Sequence, residues 1–98
     1  MSDELSSLRV AIVDDHEMVR QALASFLQDN DRIDVVGQAG DATAALNIVD
    51  ETVPDVLILD YGIPEGGAMR VIEGMVERKC ATRILVLTVH DSSHYAVR

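Results

Sequence analysis

Asp14 and Asp15 stand directly after the apolar run Val10-Ala11-Ile12-Val13. Asp60 follows Val56-Leu57-Ile58-Leu59, and Thr88 follows Ile84-Leu85-Val86-Leu87. Three carboxylates and a hydroxyl thus sit at the ends of three apolar runs. Brought to one place, the carboxylates repel. At ~4 Å and an effective dielectric of about 20, each pair costs roughly 4 kcal/mol. Protonation or a bound cation relieves that cost. Hard oxygen donors select Mg²⁺, which keeps several waters and binds through one or two carboxylates. Beside such an ion one acid can act as nucleophile towards a phosphoryl group. Thr88 can donate a hydrogen bond to a phosphoryl oxygen.

The elements that must position these residues are legible from periodicity. Unalternating apolar runs of about four residues indicate strands buried on both faces. Between the first two strands, Val19, Ala22, Leu23, Phe26 and Leu27 share one helical face, which predicts a helix over 17–28. Ile33, Val35 and Val36 predict a second strand, closed by Gly37 and Gly40. Asp41 can cap the next helix. Its face is Ala42, Ala45, Leu46 and Val49, and Pro54 stops it. After a loop with Gly62, Pro64, Gly66 and Gly67, a third helix places Ala68, Ile72, Met75 and Val76 on one face. Asp91 or Ser92 can cap a fourth helix near Ser93. Strands alternating with helices imply a parallel sheet covered on both faces. In such sheets ligands bind outside the carboxyl ends of the strands. Asp14, Asp15, Asp60 and Thr88 all fall there. The helix after the first strand adds the positive end of its dipole.

Bulk properties narrow the function. The 98 residues allow one domain. A formal charge of −9, from 17 acids and 8 bases, argues against non-specific nucleic-acid binding. Cys80 is the single cysteine, so no internal disulfide forms, and no Cys/His cluster has zinc spacing. With no signal peptide and no apolar run long enough to cross a bilayer, a reducing cytoplasm is the expected location.

The segments Val10-Ala-Ile-Val-Asp-Asp-His16, Val56-Leu-Ile-Leu-Asp-Tyr-Gly-Ile-Pro64 and Ile84-Leu-Val-Leu-Thr88 resemble the receiver domains of two-component response regulators. The Asp-Asp-His start resembles the NarL/FixJ subclass, whose DNA-binding output is a LuxR-type helix-turn-helix. The resemblance implies an α/β, flavodoxin-like, doubly wound parallel sheet in the order 2-1-3-4, with the usual fifth strand and helix missing. Residues 1–98 would be a receiver domain that is C-terminally incomplete, with no output domain. Asp60 would be the phosphoacceptor. Asp15 would ligate Mg²⁺ directly, Asp60 would share it, Asp14 would act through water, and Gly62 would offer its backbone carbonyl. Thr88 would bind the phosphoryl oxygen and report its arrival. The donor would be a sensor histidine kinase or a small acyl phosphate, and the output transcription regulation through DNA binding. The domain would be a switch and not an enzyme with turnover.

Some positions depart from the family. Ala68 stands where a Gly is usual, with Gly66 and Gly67 just before it. The Lys and the switch aromatic of a fifth strand would lie beyond Arg98. Tyr95 is too near Thr88 to be that aromatic, and Lys79 is no substitute for the Lys. Without a fifth strand, Ile84 to Leu87 form an apolar sheet edge, which invites a homodimer or strand exchange.

Other signals are weaker. His16 reads as an exposed residue in the first turn of a helix; a hydrogen bond behind the site or a kinase contact is the functional alternative. His90 and His94 read as surface residues. Met18, Met69 and Met75 read as gap-filling or surface residues, and Cys80 as inert. Tyr61, beside Asp60, could shield an acyl phosphate from water. Two rival functions remain: a pseudo-receiver that binds partners without phosphorylation, and a small Mg²⁺-dependent aspartyl phosphatase. The phosphatase wants a second Asp two residues after its nucleophile, where this chain has Gly62.

Overall fold

The computed structural model describes residues 7–64 and 66–87. Its order is β1 (Leu8–Val13), α1 (Glu17–Gln28), β2 (Ile33–Ala39), α2 (Ala42–Thr52), β3 (Val56–Asp60), α3 (Gly67–Glu77) and β4 (Arg83–Leu87). The strands form one sheet in the order β2-β1-β3-β4, and every pairing is parallel. The alternating pattern predicts such a parallel sheet, and the order is the flavodoxin-like one that the family resemblance implies. The expected fourth helix lies outside the described residues.

The sheet is covered on both faces, which explains the unalternating strand sequences. On one face Ala11, Val13, Leu57 and Leu59 pack with Ala42, Ala45 and Val49 of α2 and with Ala68, Val71 and Met75 of α3. On the other face Val10, Ile12 and Ile58 pack with Ala24 of α1, supported by Leu23 and Leu27. Small residues let α2 lie close to the strands. Arg78, just past α3, donates from Nε and Nη2 to the carboxylate of Asp50 on α2, at 2.9 and 3.3 Å. That hydrogen bond raises the Arg78 pKa above its ordinary value.

Two helix faces differ from the expectation. In α1, Val19, Ala22 and Phe26 are exposed, Phe26 by 73 %; Ala24, Leu23 and Leu27 face the sheet. In α3, Val76 is 69 % exposed and Val71 is fully buried in its place. In both helices the apolar residues span more than one side, and the contact with the sheet selects the stripe. Strand β2 runs on to Ala39, past Gly37, because its backbone pairs with β1 to the end, across a register irregularity at Val10/Ala11.

The helix ends follow local chemistry. The Asp41 side chain accepts a hydrogen bond from the Ala44 amide at 2.8 Å, the expected N-cap of α2. Helix α2 closes one residue before Pro54. Val53 takes a left-handed conformation there, with φ 46°, unusual for a β-branched residue. Arg9 of β1 donates from Nη1 to the carbonyls of Thr52 and Val53. It thereby satisfies orphan acceptors at the helix end. Gly66 begins α3 at φ 67°, a conformation that favours glycine.

Candidate functional site

Parallel register sets the site. Ile12 pairs with Ile58 and Val13 with Leu59. The next residues, Asp14 and Asp60, therefore emerge side by side at the carboxyl edge. On the other flank Asp60 pairs with Leu87 of β4. Thr88 follows Leu87 but lies outside the described residues, as do His90, His94 and Tyr95.

Asp14, Asp15, His16 and Asp60 each offer one ligand atom, and these atoms all lie within 4.8 Å of one another. Asp14 is largely covered, with 13 % of its side chain exposed, Asp15 is 31 % exposed and His16 70 %. A cleft of about 370 Å³ opens over them, lined by Asp14, His16, Val19, Asp60 and Gly62. A second cavity, about 320 Å³, lies at the opposite end of the strands beside Leu8, Pro54 and Arg83. None of the clustered acids lines it.

Backbone contacts hold the acids in place. The Asp14 amide donates to the Ala39 carbonyl at 3.0 Å, and Asp14 Oδ1 accepts from the His16 amide at 2.8 Å. The Gly62 amide donates to Asp60 Oδ1 at 3.0 Å. The Tyr61 amide donates to the Leu87 carbonyl at 2.8 Å, tying the loop after Asp60 to β4. Tyr61 itself is 52 % exposed.

His16 is exposed, as expected, but it caps α1 from the extended region and is not within its first turn. Its Nδ1 lies 3.2 Å from Asp14 Oδ1 and 3.2 Å from Asp15 Oδ1. The donor set is three carboxylates with one imidazole. Hard oxygen donors dominate it, which fits a hydrated divalent cation such as Mg²⁺.

Sequence reasoning missed Arg20. Its Nη1 donates to the Asp14 carbonyl at 2.9 Å and its Nε to Gln38 Oε1 at 3.2 Å. No local pattern signals this contact, because Gln38 arrives on a different strand.

A family profile described as the response regulator receiver domain matches residues 10–98. The chain belongs to this receiver family. Relatives include the DNA-binding transcriptional activator DevR/DosR of Mycobacterium tuberculosis. It is 36 % identical over 87 % of this chain and 39 % of its own length. The signal receiver domain of the response regulator NarL from Mycobacterium tuberculosis superposes with a TM-score of 0.80 at 32 % identity, covering 88 % of this chain and 69 % of that one. RcsB from Salmonella enterica serovar Typhimurium, solved bound to promoter rprA with phosphomimetic BeF3−, superposes with a TM-score of 0.76 at 28 % identity, covering 88 % of this receiver and 44 % of that chain. The receiver spans about two fifths of the length of the curated regulators it matches. Among its described residues no helix is long and apolar enough to cross a membrane.

Proposed function

We propose that this receiver is a phosphorylation switch that takes a phosphoryl group on Asp60. The observation that carries the proposal is the placement of Asp60 at the end of β3 within one cluster with Asp14, Asp15 and His16. Asp15 and Asp60 would hold Mg²⁺ through carboxylate oxygens, Gly62 through its backbone carbonyl, and Asp14 through water. The ion would offset the charge of the incoming phosphoryl group.

Asp60 supplies the attacking oxygen. The Gly62 amide fixes one carboxylate oxygen at 3.0 Å and leaves the other available. A Cβ at Gly62 would meet Asp60 Oδ1 at 3.4 Å, an ordinary contact, so a backbone role suits this position. Catalysis in such a site is mostly positioning and electrostatics. Thr88 would donate to a phosphoryl oxygen and report its arrival. The donor would be a phosphohistidine on a sensor kinase, or a small acyl phosphate.

The output is transcription regulation through a DNA-binding region of a longer protein. Support comes from the relatives, which are transcriptional regulators, and from RcsB solved on promoter DNA. Turnover is limited to slow self-dephosphorylation. Gly62 at the position where an aspartyl phosphatase wants its acid speaks for a switch. A cytoplasmic location goes with a kinase partner. Exposed Leu85, Val86 and Leu87 on β4 support self-association as a homodimer or by strand exchange.

The test is intact mass after incubation with acetyl phosphate and Mg²⁺. One stable phosphoryl adduct supports the switch. Steady release of phosphate without an adduct supports a phosphatase instead.

A further inference from the structure

The β1–α1 junction carries Asp14 and Asp15 but is only a short connection between a strand and a helix. What fixes it in space bears on how well the two acids meet a cation. Backbone pairing holds its start, since the Asp14 amide donates to the Ala39 carbonyl. A side chain from α1 adds a further contact. Arg20, one turn into α1, reaches back so that Nη1 donates to the Asp14 carbonyl at 2.9 Å. The same guanidinium donates from Nε to Gln38 Oε1 at 3.2 Å. The backbone of Gln38 is held in the sheet by its pairing with Ile12, and its exposed side chain carries the acceptor.

We propose that Arg20 is a positioning residue for the cation site. It fastens the Asp14 carbonyl to the end of β2 and so holds the Asp14–Asp15 pair in the arrangement that receives the ion. This inference rests on the Mg²⁺ role proposed above for those acids. The planar fork suits the task, because it offers donors at fixed spacing to two acceptors at once. Gly40 keeps the space open. A Cβ there would lie 3.3 Å from Arg20 Nη1 and 4.0 Å from the Asp14 carbonyl oxygen.

The sign of the effect separates positioning from charge. A guanidinium near a cation site repels the ion, so if charge alone mattered its removal would tighten binding. A positioning role predicts the reverse. Partners that orient metal ligands typically change affinity by about 10- to 100-fold.

The experiment measures Mg²⁺ affinity by calorimetry, urea stability, and amide exchange at Asp15 and His16 in the metal-free full chain. Arg20→Gln is expected to weaken Mg²⁺ binding about tenfold and to speed exchange at those amides. Arg20→Lys keeps the charge but not the fork and is expected to recover only part of the loss. Gly40→Ala leaves Arg20 in place and crowds its guanidinium, so it must weaken binding in the same direction if Arg20→Gln does not fold. Unchanged or tighter Mg²⁺ binding in Arg20→Gln overturns the proposal, as does full recovery in Arg20→Lys. If the wild-type chain binds no Mg²⁺, the site assignment fails. Exchange at Asp15 and His16 then still decides whether Arg20 holds the loop, and unchanged exchange overturns that too.

Discussion

Val13 of β1 pairs with Leu59 of β3 in parallel register, and this pairing brings Asp14 beside Asp60 at the carboxyl edge of the sheet. The acids converge because both strands end together. With His16 and Asp15 alongside, the ligand atoms lie within 4.8 Å of one another.

Acids gathered this closely repel one another, and the cation proposed for the site would relieve that repulsion. Mg²⁺ at 100 times its dissociation constant is expected to stabilise the wild-type fold by about 2.7 kcal/mol. Asp15→Asn should lose most of that gain. Its metal-free form should be more stable than wild type by about 0.5 kcal/mol, as one like-charge contact at a partly exposed site is gone. Urea titrations with and without Mg²⁺ read both effects. An equal Mg²⁺ shift in the two proteins would remove Asp15 as a ligand.

Leu57 is fully buried between β1 and β4. Leu57→Ala should cost about 3 kcal/mol, within the range for a large-to-small change in a packed core. Val76 is 69 % exposed, and Val76→Ala should stay within about 0.5 kcal/mol of wild type. Chemical denaturation of Val76→Ala checks which side of α3 faces the sheet, and Leu57→Ala checks the packing of β3. A large loss from Val76→Ala would contradict the described packing.

Asp41 caps α2 through the Ala44 amide. Asp41→Ala should lower stability by about 1 kcal/mol, and Asp41→Ser should retain most of it. Thermal melts suffice, since 1 kcal/mol shifts the midpoint by roughly 4–8 °C in a domain of this size.

Leu85 on β4 is 51 % exposed. Light scattering of the chain at high concentration should find dimers or larger species. Leu85→Lys should move the distribution towards monomer, as a charge blunts an exposed edge. A wild-type chain that stays monodisperse and monomeric would count against self-association through β4.

Much of the fold was legible because β1, β3 and β4 are unbroken apolar runs that end in polar residues. That pattern placed Asp14, Asp15 and Asp60 at one edge before any coordinates. The stripes of α1 and α3 were not fully legible. Val76 satisfies helical spacing as well as Val71 does, and only the sheet distinguishes them. Strand β2 looks short in the sequence because Gly37 and Gln38 interrupt its apolar residues, while its backbone ladder continues to Ala39. Arg20 gave no signal, since its partners Asp14 and Gln38 meet only through the β1–β2 pairing. The place of His16 between two carboxylates was legible only as the alternative to a surface residue, because it depends on side-chain direction at the α1 cap.

The central claim is that Asp60 is the acceptor. The most direct measurement is borohydride trapping of protein treated with acetyl phosphate and Mg²⁺, followed by peptide mass mapping, run beside a chain extended at its C-terminus. Reduction of an aspartyl phosphate converts that residue to homoserine. The expected result is homoserine at position 60 alone, dependent on Mg²⁺ and absent in Asp60→Asn. Homoserine at another acid, or none at position 60 in either chain, would contradict the assignment.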